Sequence, residues 1–179
     1  MSVPTTSRTP QPFVAMILGL TLTGCSLNQT LSLGVDDPCD SLKSIIADYP
    51  SGFAQYRGRS NNFKSVTVFS AEEEIIKGHC EIWSWANNDT AYVCSANAPN
   101  DEVAAARYNT AVSSTSQCLG TTWQSDESDR VRDGEKAGVA THFKSPDAAD
   151  PGVSVHRVAF KGNSSVYVYV GKSGQTGDF

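Results

Sequence analysis

The sequence predicts an α+β domain, an antiparallel sheet of about six strands with two helices across one face. Three observations predict it. Residues 39–49 and 104–118 repeat apolar or small side chains at three- and four-residue steps, as one face of a helix does. Several short runs rich in Val, Thr, Tyr and Trp alternate instead, as strands do. Turn-forming residues separate most of those runs closely enough to make sequential strands antiparallel neighbours. The order along the chain reads α-β-β-β-α-β-β-β, two halves of similar plan with no usable residue-level similarity between them.

The first helix starts at Asp37-Pro38. Asp37 is a side-chain cap for the first free N–H groups, and Pro38 suits the first helical position. Cys39, Leu42, Ile45, Ile46 and Tyr49 mark its apolar face, and Pro50-Ser51-Gly52 stops it. Gly58 to Asn62 reads as a loop, residues 63–70 as a strand and the acidic run Glu72-Glu73-Glu74 as a solvated connection. Residues 80–85 and 90–94 flank Ala86-Asn87-Asn88-Asp89, which is a hairpin signal. A register centred on Asn87 sets 80 opposite 94, 82 opposite 92 and 83 opposite 91.

The second helix follows Asn97-Ala98-Pro99-Asn100. Asp101 and Glu102 sit in its first turn, where the helix dipole favours acids, and Leu119-Gly120 ends it. Residues 124–136 are polar, with charges of mixed sign, and read as an exposed loop. Runs at 138–143, 153–160 and 166–170 read as a three-stranded meander.

Five cysteines punctuate the chain. The first closes an apolar run, residues 13–22, too short for a helix that crosses a bilayer. Leu22-Thr23-Gly24-Cys25 resembles the lipobox of bacterial lipoproteins, over about the first 25 residues. That resemblance implies cleavage before Cys25, a diacylglycerol thioether on its sulfur and acylation of the new amino group. Ser26, in place of Asp, favours the outer membrane by the same resemblance. Residues 1–24 are then a signal peptide, 25–36 a tether, 37–171 a single domain and 172–179 a loose tail. The other four cysteines, in an exported chain, point to disulfides. The hairpin register pairs Cys80 with Cys94. Antiparallel helices on one sheet face would bring Cys39, at the start of one, to Cys118, at the end of the other. A zinc site lacks support, since no C-x-x-C pair occurs and His79, His142 and His156 show no ligand spacing.

Without residues 1–24 the chain keeps 13 basic and 19 acidic side chains, a charge of −6. That balance argues against nucleic acid as a partner, because binding it needs a basic patch. No cofactor is expected. There is no G-x-S-x-G, H-E-x-x-H or phosphate loop. Asp126, Asp129, Asp133 and Glu135 lack the alternate-residue spacing of a calcium loop. Asn28, Asn88 and Asn163 match glycosylation acceptors, which count as chance matches in a bacterial chain. His142 and His156 fall on neighbouring runs, but a lone strand histidine is more often a surface or satisfied core residue.

The aromatic residues carry the stronger signal. Trp83 and Trp85 share one face of the hairpin, and Tyr167 and Tyr169 one face of the last strand. If helices cover the valine and cysteine faces, these four form a binding face, unless 124–136 or 53–62 packs over them. The expected function is a lipid-anchored, non-catalytic envelope protein that binds another envelope protein. The alternative is a periplasm-facing domain for a small ligand or glycan, and a third reading is a hydrolase using His142 or His156.

Overall fold

The computed structural model describes residues 34–160 and 162–172. The signal peptide, Cys25, most of the tether and most of the tail lie outside those residues. So does Asn28.

The described chain forms one eight-stranded antiparallel sheet and two helices. In chain order these are α1 (Pro38–Asp48), β1 (Arg57–Asn62), β2 (Val66–Ala71), β3 (His79–Trp85) and β4 (Thr90–Ala98). Then follow α2 (Asp101–Leu119), β5 (Gln124–Arg132), β6 (Glu135–Lys144), β7 (Gly152–Phe160) and β8 (Asn163–Gly171). The expectation of six strands in the order α-β-β-β-α-β-β-β is therefore corrected to eight, each helix being followed by four. The two extra strands are β1 and β5, in the stretches read as loops. The sheet order is β1-β2-β3-β4-β8-β7-β6-β5, so both extra strands are edges. An edge strand with both faces wet needs no apolar alternation, and its charges discourage pairing with another chain. The sequence Gln-Ser-Asp-Glu-Ser-Asp-Arg of β5 is of that kind.

Other boundaries shift by a few residues. Phe63 belongs to the turn before β2 rather than to a strand, and it is exposed. The connection 72–78 does carry its acids outward or half-buried, but Ile75 and Ile76 within it are buried in the core. Tyr49–Ser51 and Ala54–Tyr56 are single 3-10 turns, and between them Phe53 is buried with φ +63°.

The Asp37 cap forms as the sequence implies, accepting from the Asp40 N–H at 3.0 Å; α2 has a cap that the sequence reading did not single out, Asn100, which accepts from the Val103 N–H at 2.8 Å. The hairpin register is also as derived, with Cys80 opposite Cys94, Ile82 opposite Tyr92 and Trp83 opposite Ala91.

The core lies between the helices and one face of the sheet. Leu42 and Ile45 of α1 and Tyr108 and Ala111 of α2 pack over Ile82, Tyr92, Val153, Val155, Val166, Val168 and Val170. Two disulfides tie this layer. Cys80–Cys94 links neighbouring strands, with Cα atoms 4.0 Å apart, and Cys39–Cys118 links the start of α1 to the end of α2, at 4.9 Å.

Candidate functional site

The face of the sheet that neither helix covers is built from every second residue of each strand. Cross-strand pairing makes one row of it: Ser70, Glu81, Val93, Tyr169, Ser154, His142 and Asp126. The next row is His79, Ser95, Tyr167, His156, Ala140 and Ser128. Trp83 and Trp85 stand on the same face of β3 as Glu81. All four aromatics named from the sequence therefore lie on one face, opposite the helices. The segments 53–62 and 124–136 are mostly β1 and β5, the two edge strands of the sheet.

The aromatics form a small second cluster. Ala91, Val93 and Tyr169 are buried, and Trp83, Trp85 and Tyr167 pack against them half-buried. The Trp83 and Trp85 rings meet edge to face, with centroids 5.9 Å apart. Glu81 bridges two neighbours: one oxygen accepts from Trp83 Nε1 at 2.8 Å and the other lies 2.8 Å from His79 Nε2. Burial, and then the Asp89 carboxylate, push the Tyr169 phenol well above its usual range.

A second constellation lies on the β5 side. Arg130 Nη1 is 2.6 Å from His156 Nδ1, and His156 Nε2 is 2.7 Å from Ser154 Oγ. The His142 ring stands perpendicular to the His156 ring at 5.7 Å. Burial, then Arg130, then His142 lower the His156 pKa to about 3, so the ring is neutral over the physiological range. A guanidinium only donates, so Nδ1 must accept. The ring proton is then on Nε2, which donates to Ser154 Oγ.

Sequence reasoning found His142 and His156 but missed Arg130 and Ser154. Reading 124–136 as a loop left Arg130 without a place in the sheet. The missing signal was the turn Asp133-Gly134, where φ is positive at both residues, as a tight hairpin requires. Among the described residues no group of three or more His, Cys, Asp or Glu side chains is arranged to hold a metal ion. Comparison with family models, curated proteins and solved structures returns no match.

Proposed function

We propose that this is a lipid-anchored, non-catalytic protein of the bacterial envelope, and that the helix-free face of its sheet binds another envelope protein. The observation that carries the reading is the half-buried Trp83, Trp85 and Tyr167 packed around Ala91, Val93 and Tyr169 on that face. Large aromatics bury much area at low entropic cost, which suits them to the centre of an interface. Edge strands that carry charge leave the helix-free face, rather than the sheet's ends, for contact. The two disulfides accord with an oxidising compartment, as the lipobox-like segment implies.

The geometry around His156 supports the non-catalytic half of the reading. A serine nucleophile gives its proton to a neighbouring base nitrogen. The nitrogen facing Ser154 already holds a proton, and Arg130 occupies the other. The arrangement is that of a satisfied polar cluster.

The test has two arms. Cys25→Ser should abolish acylation by mass spectrometry and move the protein out of the detergent phase; unchanged partitioning would remove the anchor. For the interface, Trp85 is replaced by a photo-crosslinking phenylalanine analogue in intact cells. One defined envelope protein should be captured, and Trp83→Ala should abolish the capture. The same probe in place of the exposed Glu102, on the helix side, should capture nothing. Equal capture from both positions, or none from either, would refute the interface and favour the alternative, a small-ligand or glycan-binding domain.

A further inference from the structure

On the helix side of the sheet a groove of about 580 Å³ runs between α2 and the connection before β3. Its floor is the seam between the two halves, where Ala96 of β4 lies opposite Val166 of β8. One wall is a flank of α2 bearing Ala106, Thr110 and Ala111, and the other is Ile76. The groove exists because small side chains stand where longer ones would fill it. A volume of this size with an apolar lining and a few convergent polar groups is what small-molecule sites have.

Charge supplies the rest. Lys77 and Arg107 both line the groove and both are exposed. Arg107 Nη1 donates to the Asn97 carbonyl oxygen at 2.5 Å, which fixes the guanidinium beside the apolar walls. Among the described residues lining the groove none is acidic, although the chain as a whole carries a net charge of −5. Gly34 also lines it, so the chain leading back toward Cys25 departs from beside this groove. Nine residues, extended, span about 30 Å.

We propose that the groove binds a long-chain fatty acid, its acyl chain along the accessible Ala96, Val103 and Ala106 and its carboxylate on Lys77 and Arg107. The groove needs no anchor to bind; it rests on the anchored reading only for its nearness to a bilayer as the source of ligand. The test therefore uses the full chain carrying Cys25→Ser, so that loss of the anchor and loss of binding are separate results. Palmitate titrated by calorimetry should bind saturably at one site, and hexadecylammonium should bind at least tenfold more weakly. Ala106→Trp, at an exposed position that folding tolerates, should weaken palmitate at least tenfold by filling the groove. Lys77→Glu with Arg107→Glu should reverse the preference for head-group charge. Equal affinity for the two amphiphiles, no binding of palmitate, or an unaffected Ala106→Trp variant would overturn the proposal. Binding that emerged only with Leu31→Ser and Leu33→Ser would overturn it too, since the groove would then belong to the chain's own leucines.

Discussion

His156 shows how far a side chain's role depends on neighbours that a sequence window does not contain. Its position on a strand was legible, and so was its nearness to His142. Its chemistry was not, because Arg130 reaches it from a strand that lacks any apolar period. The four paired cysteines are the opposite case: Cys80 and Cys94 were legible from a turn between them, and Cys39 and Cys118 from the helix faces they share. The buried imidazole makes a prediction about pH. Burial, Arg130 and His142 hold its pKa at about 3, against about 6.5 in an unfolded chain. Above pH 6.5 both states carry it neutral. Between 6.5 and 3 the unfolded chain takes up a proton that the folded domain refuses, so stability falls as pH falls. The slope is at most about 1.4 kcal/mol per pH unit, and it vanishes below pH 3. Urea midpoints should therefore drop between pH 7.5 and pH 5.5, above the range where ordinary carboxylates titrate. His156→Gln should flatten that drop, and an undiminished drop in the variant would assign it to another group.

The elements that sequence reading recovered are those with one wet and one dry face. Both helices, the β3–β4 hairpin and the β6–β7–β8 meander carry an apolar stripe, and a stripe fixes both type and register. The strands it missed, β1 and β5, have no such contrast: most of their residues are exposed on both sides. What holds β5 is backbone pairing with β6 along its length and a few polar contacts, among them Tyr108 Oη donating to Glu127 at 2.9 Å. The disulfides act on this scale as well. In the chain-entropy view the bridge over 79 residues, Cys39–Cys118, constrains the unfolded chain more than the bridge over 14, Cys80–Cys94. The expected contributions are about 4.5 and about 3 kcal/mol. Paired Cys→Ser variants, compared by denaturant midpoint at constant slope, should rank in that order. The reverse order would mean that the hairpin bridge is held by its local geometry rather than by loop closure.

At the scale of the molecule the chain is two α-β-β-β-β halves set edge to edge. β4 and β8, the last strand of each half, pair antiparallel along eight residues from Ala91–Gly171 to Ala98–Ser164. The similarity of plan was legible, but its completeness was not, because each half hid the edge strand that follows its helix. The seam is dry. Tyr92, Cys94, Val166, Val168 and Val170 there are all at least 99% or wholly buried, and the core over them is shared by α1 and α2. The Cys39–Cys118 bridge then joins a helix of one half to a helix of the other. Neither half can keep a dry core if the other leaves, so unfolding should be a single transition despite the repeated plan. The tryptophans allow this to be read directly, since Trp83 and Trp85 belong to the first half and Trp123 to the second. A variant with Trp123→Phe reports the first half, and one with Trp83→Phe and Trp85→Phe the second. Each fluorescence midpoint should coincide with that variant's own circular-dichroism midpoint. A Trp123 transition clearly separated from loss of secondary structure would show that the halves unfold apart, and that the seam is an interface between two units rather than the centre of one.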